Sequence, residues 1–248
     1  MDKYTYFISD LHLGAGYLKN PIEYERRVVR WLDSIKDSAE SLYLVGDILD
    51  YWYEYKYVVP RGFTRFFGKL AELSDSGIKI YWFIGNHDIW IFDYLPAELG
   101  ITVIDGYKIV DINKKRFFIS HGDGLGNRKP MFRFIRSVFR NKFCQFLFSA
   151  IHPRWTIPFA HKWSSHSRNT HTEVPSFERA EQGYLFSFAE EYLKKEHIDY
   201  FIFGHLHFVE NKPVSDDSRI IILGDWISLF TYGIFDGKEM KVEYYKEK

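Results

Sequence analysis

The 248-residue chain is poor in cysteine and has no long hydrophobic run. Its single cysteine, Cys144, excludes an internal disulfide, and its helical surroundings predict a packing role. No stretch reaches the roughly 18 apolar residues that a membrane-spanning helix needs. No basic-then-apolar leader precedes the first apolar run, which argues against a signal peptide. We therefore expect a cytoplasmic protein.

Acidic residues are missing from one long segment, although the chain as a whole balances 33 basic against 33 acidic residues. From Gly124 to Thr172 there is no Asp or Glu, while this segment carries nine Lys and Arg residues. The remainder of the chain is therefore net acidic. A basic block of this kind indicates an anionic partner.

Repeats, low-complexity tracts and linkers are also absent, and strand patterns alternate with helix patterns. The predicted strands cover about 4–9, 42–45, 78–84, 101–104, 107–111, 115–120, 199–203, 219–224, 230–235 and 239–245, and the predicted helices cover about 21–36, 61–75 and 177–196. The turn Phe235-Asp236-Gly237-Lys238 indicates a hairpin near the end. With 46% hydrophobic residues to form a core, these patterns predict a single α/β domain over 1–248.

Five of the apolar runs end in residues that bind metals. The five motifs are Asp10-Leu11-His12, Gly46-Asp47, Gly85-Asn86-His87-Asp88, His121-Gly122-Asp123 and Gly204-His205-Leu206-His207. Continuous β-branched and aromatic runs are typical of strands buried on both faces, and α/β sheets bind ligands at the carboxyl ends of such strands. The motifs therefore predict one shared site.

The side chains of these motifs form a mixed oxygen and nitrogen set without thiolates. The seven candidate metal ligands are Asp10, His12, Asp47, Asn86, His121, His205 and His207. Such a set suits Mn, Fe or Zn better than Ca or Mg. It exceeds the needs of one tetrahedral ion and suits two ions roughly 3.5–4 Å apart that share a carboxylate. The alternative is a set of unrelated turn residues, which the order of all five motifs after strands argues against.

This order of motifs resembles the calcineurin-like metallophosphoesterase superfamily. The resemblance implies a four-layer α/β/β/α sandwich and two divalent metal ions, most often Mn. It implies that Asp10, His12 and His207 hold one ion, that Asn86, His121 and His205 hold the other, and that Asp47 bridges them. It also implies that the metals bind the phosphate and convert a shared water to hydroxide for in-line attack on phosphorus.

The third motif supplies the candidate catalytic residues His87, Asn86 and Asp88. In the superfamily, the histidine at the position of His87 stabilises or protonates the leaving oxygen. The alternative is a buried histidine that only orients Asp47 or Asn86. We expect Asp88 to orient His87 or the turn rather than bind metal, and Asp123 to brace the turn after His121.

A helical insertion, or cap, is predicted over about 125–176. On a helical wheel Phe132, Ile135, Phe139, Phe143 and Phe146 share one face, and basic residues occupy the adjacent face. The candidate substrate-binding residues are Arg128, Lys129, Arg133, Arg136 and Arg140. The alternative is an ordinary amphipathic helix with solvated cations, but a solvated face usually mixes charge signs.

Within the superfamily, the chain is most similar to the UDP-2,3-diacylglucosamine pyrophosphatases of lipid A biosynthesis. The overall length, the insertion after His121-Gly122-Asp123 and the segment Leu223-Gly224-Asp225-Trp226 carry this resemblance. It implies hydrolysis of the UDP-sugar to UMP and 2,3-diacylglucosamine 1-phosphate. His87 stands where these pyrophosphatases usually carry arginine. Cations and metals suit a diphosphate, and aromatic helices suit acyl chains.

Three other functions fit parts of the pattern. A phosphodiesterase or pyrophosphatase for a soluble nucleotide or other phosphoester needs the same metals but no apolar cleft. A nuclease would explain basic residues among aromatics, although the superfamily's exonucleases usually carry a further domain. A non-catalytic scaffold would lack ligands that are all present here. The expected partners are a nucleotide-sugar lipid and, peripherally, the inner-membrane surface; we expect no nucleic acid and infer no protein partner.

Overall fold

The computed structural model describes residues 3–126, 130–159 and 183–247. Its strands are β1 (Tyr4–Ile8), β2 (Ala39–Val45), β3 (Lys79–Phe83), β4 (Thr102–Ile104), β5 (Tyr107–Ile112), β6 (Lys115–Ser120), β7 (Tyr200–Phe203), β8 (Val209–Pro213), β9 (Arg219–Leu223), β10 (Thr231–Phe235) and β11 (Met240–Tyr244). Its helices are α1 (Pro21–Ile35), α2 (Thr64–Asp75), α3 (Tyr94–Leu99), α4 (Pro130–Arg140), α5 (Lys142–Ser149) and α6 (Tyr184–Leu193). Residues 153–159 are also helical.

The strands form two mixed sheets. The six-stranded sheet has the order β11-β10-β1-β2-β3-β4, and the five-stranded sheet has the order β5-β6-β7-β9-β8. Strands β1, β2, β3 and β4 run parallel to one another in the first sheet, and β6, β7 and β9 do so in the second. Strand β10 is antiparallel to β1, β5 to β6 and β8 to β9. The carboxyl ends of the five motif-bearing strands thus belong to two parallel blocks.

The two sheets pack face to face, with helices on their outer faces. Phe7 and Tyr43 of the first sheet share a buried cluster with Phe117 and Ile202 of the second. Helices α1 and α2 cover the outer face of the first sheet, and α6 covers the outer face of the second. This arrangement confirms the predicted α/β/β/α layers. It also explains the unbroken apolar runs, because the central strands are buried on both faces.

Local sequence and tertiary contacts both determine where the helices begin. Asn20 accepts a hydrogen bond from the Glu23 amide at the start of α1. Pro21 occupies the first helical position, where a backbone N–H would have no partner within the helix, so its missing N–H costs nothing there. Helix α2 has no side-chain cap of its own. The buried carboxylate of Glu25 accepts the amides of Arg65 and Phe66 instead, so α1 caps α2 across the packing interface.

Two elements were not predicted. Helix α3 contains Pro96, which is tolerated because it lies in the first helical turn. Strand β8 is a polar edge strand, Val209–Pro213, without an apolar run. Helix α6 is described from Tyr184, and the predicted helical residues 177–182 lie outside the described part of the chain. No described helix has the length and hydropathy needed to cross a membrane.

Candidate metal centre

The five predicted motifs converge at the carboxyl ends of β1, β2, β3, β6 and β7. Three groups of side chains bring potential ligand atoms within 4.8 Å of one another. These groups are Asp10, His12 and His207; Asp47, His121 and His205; and His12, Asp47 and His87. The first and second correspond to the two ligand sets expected from the sequence, apart from Asn86.

Asp47 lies between the two groups. Its Oδ2 is 3.3 Å from His121 Nε2 on one side and 3.7 Å from His12 Nε2 on the other. Asn86 joins the second group, since its Oδ1 is 3.2 Å from His121 Nε2. One carboxylate oxygen therefore faces histidines of both groups, which is the position a bridging ligand requires.

The backbone at the centre is held in an uncommon conformation. The candidate ligands with positive φ are Asp10 (55°), His12 (45°), Asp47 (53°), His205 (70°) and His207 (54°). Each such residue costs on the order of 1–3 kcal/mol, and these conformations concentrate at functional sites. The fold therefore carries this cost in order to turn the side chains inward.

Two motif glycines allow the loops to approach one another. A Cβ at Gly85 would collide with the carboxylate and backbone of Asp47, and one at Gly204 would collide with Ser9 and Asp10. The space is used by hydrogen bonds, because the His205 amide donates to Asp10 Oδ2 at 2.9 Å. Glycine at these positions is therefore a requirement of the site itself.

Asp50, which was not predicted as a site residue, contacts two of the histidines. Its Oδ1 is 3.3 Å from His12 Nδ1 and 3.5 Å from His87 Nδ1. The side chain is buried, so the contacts are shielded from water. Asp50 thus orients both rings so that their Nε2 atoms point towards the centre. Its spacing of three residues from Asp47 was the only sequence signal.

Asp225 is a second missed residue and supports His207. Its Oδ2 is 3.4 Å from His207 Nδ1, while its Oδ1 accepts the amides of Ile227, Ser228 and Leu229. The next residue, Trp226, donates its amide to the Asp10 carbonyl. This loop therefore fixes ligand candidates from both sheets. The segment Leu223-Gly224-Asp225-Trp226 was noted in the sequence only as a family resemblance.

The residues predicted to be catalytic occupy different environments. Asp88 accepts hydrogen bonds from the Gly85 and Ile48 amides, so it braces the turns after β3 and β2. Burial raises the pKa of Asp88 to about 6, with a further contribution from Asp47. His87 instead lies at the open edge of the centre, with its side chain 16% exposed and its Nε2 4.0 Å from Asp47 Oδ2.

The donor set fits a pair of divalent cations. Asp10 Oδ1 is buried and accepts no hydrogen bond within the described residues, yet it lies 3.4 Å from His207 Nε2. Burial acts to lower the pKa of His121, but Asp47 and then Asp10 outweigh it and raise that pKa to about 10. Buried carboxylates that raise the pKa of a histidine this far also attract metal ions. The residues present therefore suit the ions that the motifs imply.

Comparison with known proteins agrees with this geometry. The family model described as calcineurin-like phosphoesterase matches residues 4–209. The chain belongs to the calcineurin-like phosphoesterase family. The resemblance seen in the sequence is thereby confirmed, and the chain is a phosphoesterase.

Several curated relatives of this phosphoesterase carry the same name. It is similar to the UDP-2,3-diacylglucosamine hydrolase of Porphyromonas gingivalis, with 40% identity over 96% of this chain and 96% of the relative. Proteins of the same name from Histophilus somni and Neisseria meningitidis are 25% and 27% identical, each over 90% of this chain and over 92% and 90% of the relatives.

Three of the predicted substrate arginines of this phosphoesterase lie on α4. Arg133, Arg136 and Arg140 line a cavity of about 520 Å³ together with Gly124, Gly126, Ser137 and Asn141. Arg136 Nε donates to Asp123 Oδ2 at 2.9 Å, and Arg140 pairs with Asp105. Asp123 thus connects the His121 loop to α4. Arg128 and Lys129 lie outside the described residues.

The prediction of a single apolar face for the cap is wrong. The chain divides at Asn141, whose side chain accepts the amides of Phe143 and Cys144 and so begins α5 as a separate helix. Phe139 packs against Trp90, whereas Phe143 and Phe146 are 68% and 69% exposed. One helical wheel cannot describe both helices, because the helix axis changes direction where the second helix begins.

Proposed function

We propose that this phosphoesterase hydrolyses UDP-2,3-diacylglucosamine to UMP and 2,3-diacylglucosamine 1-phosphate, a step of lipid A biosynthesis. The observation that carries the proposal is the 40% identity, over nearly the whole length of both chains, to a relative named for this substrate. A basic cavity and an aromatic cap beside a candidate metal centre support it, because the substrate combines a diphosphate with acyl chains.

The proposed metal ligands follow the two groups of the centre. Asp10, His12 and His207 would hold one ion, Asn86, His121 and His205 the other, and Asp47 both. Manganese suits this mixture of nitrogen and oxygen ligands, as do iron and zinc. When bound, such ions would neutralise phosphoryl oxygens and lower the pKa of a water molecule.

His87 is proposed to act on the leaving group. Its Nδ1 lies 3.2 Å from the Asp50 carbonyl oxygen and 3.5 Å from the Asp50 carboxylate. These acceptors favour a proton on Nδ1 in the neutral ring, and in the charged ring both nitrogens carry one. The opposite nitrogen is then turned to the open side of the centre. Protonated, it would donate to the oxygen that leaves phosphorus. Asn86 and Asp88 would act by holding this loop in place.

Arg133 is proposed to bind the UDP part of the substrate. Unlike Arg136 and Arg140, it has no carboxylate partner among the described residues, and it is exposed beside the cavity. Arg136 and Arg140 would contribute positive potential while remaining tied to Asp123 and Asp105. Arg128 and Lys129 are proposed on sequence alone.

The cap is proposed to contact acyl chains and the surface of an anionic membrane. Large apolar side chains of α4 and α5 face solvent, among them Met131 (68% exposed), Phe134 (65%) and Phe146 (69%). Exposed apolar patches of this kind mark interaction surfaces. With the arginines beside them, they match a surface that is both apolar and negatively charged.

The decisive experiment compares three substrates in the presence of Mn²⁺. These are UDP-2,3-diacylglucosamine, UDP-glucose and a nitrophenyl phosphodiester. We expect the largest kcat/KM for the acylated compound, with UMP as a product, and a kcat/KM on the order of 10³-fold lower in Asp47→Ala. Preference for the two soluble compounds would favour the alternative of a soluble nucleotide or phosphoester hydrolase.

A charge reversal tests the role of Arg133. Arg133→Glu should raise KM for the UDP-sugar substrate by roughly tenfold, because one charge-assisted contact is replaced by repulsion. Arg65→Glu, on α2, applies the same change of charge to another exposed arginine and should leave KM unaltered. An equal response of both variants would assign the effect to overall charge.

A further inference from the structure

The cap is bonded to continuations of loops that carry candidate metal ligands. After Asp50 the chain continues through Tyr51 to Tyr55, and after Asp88 it continues to Trp90. A parallel bridge joins Tyr53 to Trp90, and the Glu54 amide donates to the Trp90 carbonyl at 3.2 Å. The continuations of two metal loops thereby form one short ribbon, residues 51–55 with 89–91.

Glu54 makes this ribbon rigid. Its buried carboxylate accepts the Trp52 indole at 3.0 Å and the amides of Phe92, Asp93 and Tyr94 at 2.6 to 3.2 Å. The same carboxylate therefore caps the start of α3. A charged acceptor with four donors is a strong local constraint, so the aromatic side chains of the ribbon project from a defined backbone.

Three side chains of the ribbon each bond a different helical part of the cap. Trp90 Nε1 donates to the Phe139 carbonyl of α4 at 2.8 Å, and Tyr53 Oη donates to the Gln145 carbonyl of α5 at 2.6 Å. Tyr55 Oη and Thr156 Oγ1, in the helical residues 153–159, are 2.9 Å apart. Together with the Arg136–Asp123 and Arg140–Asp105 pairs of α4, these bonds fix the position of the cap.

Ring contacts shield two of these bonds from water. The Phe148 ring lies 4.8 Å from the Trp90 ring and 5.1 Å from the Tyr53 ring, measured between centroids. Tyr53 and Trp90 are 3% and 8% exposed, although both lie under a cap with much exposed apolar surface. Helix α5 has no fully buried residue. A few contacts at the ribbon therefore account for much of the cap's attachment.

We propose that Tyr53 and Trp90 are positioning residues that hold the cap in a fixed place above the metal loops, and that this placement determines how well an acylated substrate is accepted. The second half of the proposal rests on the proposed function. The residues act through the cap, since each bonds a cap carbonyl and neither belongs to the groups of potential metal ligands.

Two conservative variants test the proposal by a readout that needs no substrate. Tyr53→Phe removes only a hydroxyl, and Trp90→Phe removes the indole N–H. Hydrogen–deuterium exchange should become several-fold faster for amides of residues 139–149 in both variants and remain unchanged in β1 and β2. Tyr57→Phe is the matched control, because Tyr57 is 86% exposed and follows the same ribbon. Unaltered exchange in Tyr53→Phe would overturn the proposal even if Trp90→Phe failed to fold.

Kinetics then separate placement of the cap from damage to the centre. With Mn²⁺ bound, both variants should raise KM for UDP-2,3-diacylglucosamine by about two- to tenfold, the range that one lost hydrogen bond produces. Both kcat and KM for a nitrophenyl phosphodiester should stay as in the parent protein. Equal losses on the two substrates would overturn the positioning role. If the parent protein did not hydrolyse the acylated substrate, the proposed function would fail, and the exchange result would still decide whether these residues hold the cap.

Discussion

The candidate metal centre and the cap are built on opposite principles. At the centre, Asp10 and His12 are fully buried, and every loop is tied to another by a hydrogen bond such as that from the His87 amide to Asp47 Oδ1. In the cap, Phe134 and Phe146 are more than 60% exposed, and attachment depends on a few bonds. Reactive groups require fixed geometry, whereas a surface that receives acyl chains requires exposed apolar area. The comparison predicts that substitutions at the centre act on chemistry and that substitutions in the cap act on binding.

The largest effect is expected at Asp47. Asp47→Ala removes the carboxylate that faces both groups of ligands, and the loss of several kcal/mol of charge stabilisation should lower kcat/KM on the order of 10³-fold. Metal analysis of the purified variant should show less bound Mn²⁺, while circular dichroism stays native. Asp75→Asn, at the exposed end of α2, is the control. Retention of two ions and of activity would remove Asp47 from the centre.

His87→Ala should lower kcat by about 10²-fold, because general acid catalysis typically contributes at least this much. Unlike Asp47→Ala, it should retain the parent content of Mn²⁺, since its position at the open edge leaves both ligand groups intact. A substrate with a good leaving group, such as a nitrophenyl diester, should be affected less than one with a poor leaving group. Equal losses on both would contradict a role in protonating the leaving oxygen.

Asp225→Asn tests whether the contact between Asp225 and His207 contributes to metal binding. The amide can still accept the backbone N–H groups of Ile227 and Ser228, but it no longer offers His207 a carboxylate. Mn²⁺ affinity, measured by calorimetric titration, should fall by about tenfold. Ser228→Ala removes a neighbouring hydroxyl from the same carboxylate and should change affinity little. If both variants matched the parent, Asp225 would serve only the turn.

The smallest effect on the fold is expected at the exposed face of the cap. Phe143→Ser combined with Phe146→Ser should change the free energy of unfolding by no more than about 0.5 kcal/mol, because neither ring is buried. Binding to vesicles that contain anionic lipid should nevertheless fall severalfold, as apolar area for contact is lost. Ile22→Ser, at a 52% exposed position of α1, provides the control. Unaltered vesicle binding would separate the cap from the membrane.

The sequence predicted the parts of this protein that depend on local patterns. The apolar runs identified most strands, Pro21 marked the start of α1, and the Asp236-Gly237 pair marked the final hairpin, in which Phe235 pairs with Met240. The local patterns failed at two places. The wheel drawn through the cap missed the helix start at Asn141, and the edge strand β8 has no apolar run by which to identify it.

The sequence by itself determined the fold class and the residues that converge, because strand periodicity and the carboxyl-end rule need no knowledge of the neighbours. Only the tertiary structure decided which side chains support them. Asp50 and Asp225 resemble any turn aspartate until His12 and His207 are placed beside them, and Arg136 resembles a free cation until Asp123 meets it. The partner of a polar side chain depends on which strands and loops lie adjacent, and that adjacency arises from packing of the whole chain.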